Sequence, residues 1–215
     1  IESLDAVFDL AGTYLDEDEI LSSIQQWIQE DQSGFLVNAL VQPGRSITDI
    51  LGALDKYRNL ADQGLELSAA RKKSVQMSLI RRLLSEREQF LKTAKQHIEI
   101  EDFNDLADRI IYHSGSHGKL GGKSAGIFLA MQVINKAICD RDIFCRVKTP
   151  KTWYIVSDTV FSYIEKNNLE EIIEHKYLNI GEIRQEYPYI IHVFNNAPLP
   201  QEIIKGLSVA LDDFG

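Results

Sequence analysis

The stretch that decides the fold is His117-Gly118-Lys119-Leu120-Gly121-Gly122-Lys123-Ser124-Ala125-Gly126. Adjacent glycines let the backbone approach a ligand closely and direct successive N–H groups into one concavity. A helix that begins here adds its positive N-terminal end, and Lys123 adds a full charge. The pattern favours phosphate binding by Gly121, Gly122 and Lys123, with Lys119 and Ser124 as additional candidates. The alternative interpretation is a flexible loop that joins two helices, with Lys123 simply solvated.

Residues 65–114, before this stretch, contain no Gly and no Pro, which predicts continuous helix. Further upstream, Asp16 followed by Glu19 predicts a helix start with a capping box, and Ser46 predicts another start. The cleanest amphipathic pattern has spacing 0, 3, 4, 7 and 8 and predicts one more helix. It consists of Phe103, Leu106, Ala107, Ile110 and Ile111.

The chain after the glycines predicts helices and a little β structure. Ser124–Ile138 is apolar on most sides, as expected of a buried helix. Trp153–Val156 is the best candidate strand, and we expect it to be a short edge strand. Ser157 is a candidate N-cap for the next helix. Tyr187-Pro188 and Leu199-Pro200 predict two helix starts with Pro at the first position.

Composition and charge indicate a globular protein and exclude some partners. Of the 215 residues, 44% are hydrophobic and 26% are charged, so the chain can bury a core. The net charge is -9, and the first 44 residues hold nine acids and no Lys or Arg. Such a surface argues against nucleic acid and against an anionic membrane as partners. No apolar run reaches about 18 residues, so no membrane span is expected.

Cysteine usage and the N-terminus predict a cytoplasmic location. Cys139 and Cys145 are the two cysteines, and their spacing fits neither a zinc site nor a disulfide framework. The chain begins at Ile1 without a signal-peptide pattern. It ends at Gly215 directly after a helical pattern, so we expect it to be a piece of a longer protein.

A P-loop and a histidine metal site are two alternatives that the spacing disfavours. A P-loop has four residues between its first Gly and Gly-Lys-Ser, whereas three separate Gly118 from Gly122. The segment before it also has a helical pattern, where a P-loop requires a buried strand. His113 and His117 are four residues apart, but glycines interrupt the segment and no third ligand is close in sequence.

The glycine stretch resembles a known family motif. Gly118–Gly126 is similar to the Gly-Gly-Lys motif that opens the ATP-binding domain of the pyruvate phosphate dikinase and phosphoenolpyruvate synthase family. Pro150–Ser157 resembles the family's Val-Pro-x-Gly-Phe strand, and Ile203–Gly215 resembles the helix before its Val-Arg-Ser strand. The helical region before Gly118 is similar to the N-terminal extension of long synthase-like proteins with a phosphoenolpyruvate/pyruvate-binding domain. Thr152 and Trp153 depart from the family's Gly and Phe.

The helical patterns and the single candidate strand predict a mainly α fold with minor β structure (α+β), to which the resemblance adds a division into two regions. Residues 1–98 would form a helical N-terminal region, and residues 99–215 the first part of an ATP-grasp-like nucleotide-binding lobe. Lys123 matches the motif lysine that contacts nucleotide phosphates, with Gly121 and Gly122 as the backbone cradle. Lys119 is a second cation without a family counterpart.

The resemblance also implies an ATP-dependent phosphotransferase. In this family, the ATP-binding module phosphorylates a histidine on a swivelling domain, which passes the phosphate to pyruvate. ATP and Mg²⁺ would serve the full-length protein, and neither is expected to be bound to this chain alone. The implied partners are the remaining domains of the same polypeptide: the rest of the ATP-binding lobe, the phosphohistidine domain and the pyruvate-binding domain. A helical interaction or regulatory module that keeps the fold without catalysis is the alternative.

Overall fold

Helices make up most of the molecule. A computed structural model describes residues 4–64, 67–138 and 147–214, and these residues are 72% helical with one two-stranded parallel sheet. The predicted class, mainly α with minor β, is therefore confirmed. The helices are α1 Leu4–Tyr14, α2 Glu17–Val41, α3 Ile47–Asp62, α4 Ala69–Leu79, α5 Glu88–His97, α6 Asp102–Ala107, α7 Gly122–Ile138, α8 Thr159–Lys166, α9 Glu170–Glu174, α10 Ile180–Asn196 and α11 Gln201–Phe214. The strands are β1 Ile110–Ile111 and β2 Tyr154–Ile155; Ile80–Leu84 is a π-helical segment and His175–Tyr177 a 3₁₀ turn.

The predicted helix starts near the N-terminus are confirmed. The Asp16 side chain accepts from the Glu19 backbone N–H while the Glu19 carboxylate accepts from that of Asp16, so a complete capping box begins α2. Ser46 and Asp49 form the same box at α3. Each box satisfies backbone donors that the first helical turn would otherwise leave unpaired.

The prediction of continuous helix over residues 65–114 is wrong in detail. α4 passes into the π-helical segment, and Ser85 then takes an extended conformation. This break leaves the Leu83 carbonyl able to accept a hydrogen bond from the Leu120 backbone N–H, at 2.8 Å. The tertiary contact with the glycine stretch explains why the helix ends here without Gly or Pro.

The predicted helix through Phe103 and Ile111 is also wrong at its C-terminal end. α6 ends at Ala107, and Ile110 and Ile111 pair in parallel with Tyr154 and Ile155. Two adjacent buried β-branched residues suit a strand that is covered on both faces. The segment preceding the glycines therefore does contain a buried strand, although the P-loop spacing still fails by one residue.

The remaining predicted elements are close to those observed. The helix after the glycines runs to Ile138 as expected, and β2 is a short edge strand. The helix start at Tyr187-Pro188 is wrong, because a capping box at Asn179 begins α10 earlier and leaves Pro188 inside it. α11 begins directly after Pro200, whose carbonyl accepts from Ile203 and Ile204. No helix in the described part of the chain is both long and apolar enough to cross a bilayer.

One main hydrophobic core extends from α2 to the sheet. Phe103 is fully buried at its centre, with its ring 6.0 Å from that of Phe128, which lies 6.2 Å from Tyr154. The core includes buried residues from both sides of residue 98, where we predict the division between two regions. A smaller cluster of Ile111, Ile203 and Ala210 packs α11 against β1.

Candidate functional site

The glycine stretch connects the buried strand β1 to the N-terminus of α7. α7 begins at Gly122, and the Ala125 backbone N–H donates to the Gly121 carbonyl at 2.9 Å. Gly121 is therefore the N-cap residue, and it has no side chain with which to cap the following N–H groups. In the described residues no side chain accepts from the backbone N–H of Gly122, Lys123 or Ser124. The predicted helix after the glycines is confirmed, but the predicted turn over Gly121, Gly122 and Lys123 is wrong, because Gly122 and Lys123 already belong to the first turn of α7. The helix start leaves three donors at the positive end of α7.

The space in front of these donors is open. If Gly121 or Gly122 carried a Cβ atom, no atom beyond its chain neighbours and its own helix backbone would lie within 4 Å of it in the described part of the chain. Lys123 is exposed and forms no ion pair or hydrogen bond within residues 4–64, 67–138 and 147–214, and Ser124 is half-buried. The arrangement could therefore admit phosphate oxygens between backbone donors and a free ammonium group.

Gly118 has a different role from the two later glycines, because an internal carboxylate fills the space beside it. The Asp158 carboxylate accepts from the Ser116 hydroxyl at 2.8 Å and from the backbone N–H groups of His117 and Gly118 at 2.9 and 2.8 Å. Ser116 is completely buried. A Cβ atom at Gly118 would overlap the Asp158 carboxylate. The backbone N–H groups of His117 and Gly118 therefore already bind an anion, the carboxylate of Asp158.

These contacts keep Asp158 ionised. Burial opposes the charge, but the hydrogen bonds from Ser116, His117 and Gly118 outweigh it, so the pKa of Asp158 is lowered. The Nε2 atom of His113 lies 3.8 Å from the same carboxylate. Asp158, rather than the predicted Ser157, is the N-cap residue of α8. Sequence reasoning missed its contact with the loop because Asp158 lies 42 residues after Ser116.

Lys119 is not a free cation. Its ammonium group donates to the Glu86 carboxylate at 2.5 Å, and this hydrogen bond lowers the pKa of Glu86. Its carbonyl accepts from the Ser157 backbone N–H at 2.9 Å. Lys119 therefore connects the glycine stretch both to the segment before α5 and to the end of β2.

An open cleft of about 760 Å³ lies beside Gly122. One wall comes from the π-helical segment and the start of α5, and the other from the glycine stretch and α7. Its polar and charged lining consists of Ser85, Glu86, Arg87, Gln89 and Lys119. Its apolar lining consists of Leu84, Phe90, Leu120 and Ala125.

The structure does not bring ligands for a metal to this loop. His113 lies beside Asp158, whereas the Nδ1 atom of His117 is 3.0 Å from the Arg45 carbonyl oxygen. In the described residues, no three His, Cys, Asp or Glu side chains are grouped to hold a metal ion. The described residues therefore offer no such group for the Mg²⁺ that the family resemblance implies for the full-length protein.

A glycine-rich loop between a buried strand and a helix N-terminus is an arrangement that is typical of phosphate-binding sites. The comparison with known families is more specific. Residues 117–215 match the family of the pyruvate phosphate dikinase AMP/ATP-binding domain, which confirms the predicted resemblance over this part of the chain. The match supports a similarity of these residues to a nucleotide-binding part of an enzyme of that type. No curated protein and no solved structure matches the chain.

Proposed function

We propose that this chain supplies the phosphate-binding loop of an ATP-dependent phosphotransferase of the phosphoenolpyruvate synthase or pyruvate phosphate dikinase type. The backbone N–H groups of Gly121 and Gly122 and the ammonium group of Lys123 bind the nucleotide phosphates, and Ser124 adds a donor in the first turn of α7. The observation that carries this proposal is the uncapped N-terminus of α7 beside the exposed Lys123, inside a segment that matches an AMP/ATP-binding domain family.

The chemical contribution of this loop is electrostatic. Phosphoryl transfer spreads negative charge over the oxygens of the transferring group, and fixed N–H dipoles and a cation stabilise that charge. The family resemblance implies that the acceptor in the whole protein is a histidine of another domain, which then passes the phosphate to pyruvate. The remaining domains of the same polypeptide, including the rest of the ATP-binding lobe, supply the groups that hold the nucleotide from the side opposite this loop. The proposed location of the protein is the cytoplasm.

The affinity of this chain alone for ATP is low. A well-formed charge-assisted contact contributes about 1.5 to 3 kcal/mol, and exposure of Lys123 to water screens it. Millimolar affinity already requires about 4 kcal/mol, so the Lys123 contact reaches it only together with the backbone donors of the loop.

ATP titration calorimetry on the chain tests the proposal. Lys123→Ala and Gly122→Ala should each abolish measurable binding, since one removes the charge and the other adds a methyl group to the backbone that the phosphate is proposed to approach. Lys205→Ala, an exposed lysine on α11, is the matched control and should bind as the unmodified chain does. Binding that survives Lys123→Ala would place the site elsewhere. Absence of any ATP binding would favour the non-catalytic interaction module.

A further inference from the structure

The cleft beside Gly122 is lined by two parts of the chain, and only one of them belongs to the segment that matches the AMP/ATP-binding family. Residues 84–90 lie before the segment that matches the AMP/ATP-binding family, and residues 119–125 lie inside it. We propose that a nucleoside polyphosphate lies in this cleft, so that the helical N-terminal region forms half of the nucleotide site. In this arrangement Arg87 and Lys119 bind phosphate, and Glu86 is a counter-ion that the nucleotide displaces. This inference rests on the proposed function.

The two walls are held together by direct contacts. The Leu120 backbone N–H donates to the Leu83 carbonyl at 2.8 Å, at the end of the π-helical segment. Next to it, the ion pair between Lys119 and Glu86 joins the walls at their charged edge. The wall from residues 84–90 is therefore at a fixed position relative to the phosphate-binding loop.

The charges in the cleft suit an anion that carries more than one negative charge. Arg87 is exposed, and no carboxylate in the part of the chain that the structure describes pairs with it. Glu86 is exposed and stays ionised beside Lys119. A polyphosphate brings several charged oxygens, so it can replace the single Glu86 carboxylate at Lys119 and bind Arg87 as well.

The N-terminus of α5 adds to this wall. α5 begins at Glu88, and its N-cap residue Arg87 makes no side-chain hydrogen bond to the first turn. The cleft thus lies beside the first turns of both α5 and α7, and the helix dipoles favour an anion between them.

Size and lining indicate a nucleotide rather than inorganic phosphate. A volume of about 760 Å³ is within the range of about 300 to 1,000 Å³ that is typical of small-molecule sites. Phe90 is half-buried and provides apolar surface for a base or ribose, next to the polar Ser85 and Gln89, whereas Leu84 and Leu120 are buried. Inorganic phosphate would leave this apolar surface unused.

NMR titration of the isotope-labelled chain, followed through its backbone amide signals, shows where the ligand binds. This method can detect binding of millimolar affinity. ATP should shift the amide signals of residues 85–90 together with those of residues 122–124. Tripolyphosphate should shift both groups at a higher concentration than ATP does, because it lacks the nucleoside. Shifts at residues 122–124 without shifts at 85–90 would overturn this inference and leave the proposed function standing. Shifts at 85–90 alone would overturn the proposed loop, and no shift anywhere would overturn both.

Variants test the individual charges by the same titration. Arg87→Ala should weaken ATP binding about three- to fivefold, as expected for an exposed charge contact. Arg184→Ala on α10, also exposed, is the matched control and should leave ATP binding unchanged. Glu86→Gln should strengthen binding about two- to fivefold, because Lys119 is then free before the ligand arrives. Weaker binding after Glu86→Gln, or no effect of Arg87→Ala, would overturn the assignment.

Discussion

At the scale of single residues, the glycines of one short stretch serve two purposes. Gly118 makes room for the Asp158 carboxylate, whereas Gly121 and Gly122 face open space. The sequence does not distinguish Gly118 from Gly121 and Gly122, because the carboxylate that separates their roles comes from a distant part of the chain. Only the folded chain shows that the first glycine is structural.

The first prediction compares substitutions at two of these glycines. Gly118→Ala should lower the free energy of unfolding by about 1 to 3 kcal/mol, because its methyl group would overlap the Asp158 carboxylate. Gly122→Ala should leave stability unchanged or raised, since its methyl group meets no described atom and alanine favours helix. Urea denaturation of both variants measures the difference. Equal stability of the two would show that Asp158 does not fill the space at Gly118.

The second prediction concerns the pH dependence of stability at Asp158. Its folded pKa lies below the ordinary value of 3.8, so the folded state binds the proton less readily than the unfolded chain. Its contribution to stability is therefore fully present above the ordinary pKa and is lost as the pH falls through the lowered one. Urea denaturation between pH 2 and 6 should show the unmodified chain converging on Asp158→Asn as acid is added. A constant difference between the two across this range would contradict the lowered pKa.

At the scale of elements, capping chemistry could be predicted and strand pairing could not. The boxes at Asp16 and Ser46 are local, so four consecutive residues contain all the information that starts the helix. Ile110 and Ile111 fit both a helical and a strand pattern, and their pairing with Tyr154 and Ile155 decides between the two. The same holds for the break after Leu84, which depends on the contact between Leu83 and Leu120.

The third prediction uses the packing of α11 on β1. A Cβ atom at Gly206 would overlap the buried, β-branched side chain of Ile111. Gly206→Ala should therefore cost about 1 to 3 kcal/mol of stability, despite the better helix propensity of alanine. Gly126→Ala on α7, where a methyl group meets no described atom, is the control and should stabilise by about 0.5 to 1 kcal/mol. Thermal unfolding measures both, and a stabilising Gly206→Ala would contradict the close approach of α11 to β1.

At the scale of the whole molecule, the N-terminal helices and the segment that matches the AMP/ATP-binding family share one interior. Leu79, Ile80 and Leu83 are buried in the same core as Phe128 and Tyr154. The predicted division at residue 98 is not visible as a gap in this core, and it stays a prediction. The candidate loop could be predicted from its glycines and lysines, because backbone freedom and charge are properties of local sequence. The cleft beside it could not, since its two walls meet only through this shared core.

The last prediction is that this chain alone does not turn over ATP. Phosphoryl transfer requires the nucleotide to be clamped between opposed groups while magnesium bridges its phosphates. The described residues present Lys123 and the N-terminus of α7 on one side, and they contain no group of three His, Cys, Asp or Glu side chains suited to a metal. Phosphate release with Mg²⁺ and ATP should therefore stay at the level of a protein-free blank, for the unmodified chain and for Lys123→Ala alike. Steady magnesium-dependent release that Lys123→Ala abolishes would show that the loop and the cleft already make a complete site.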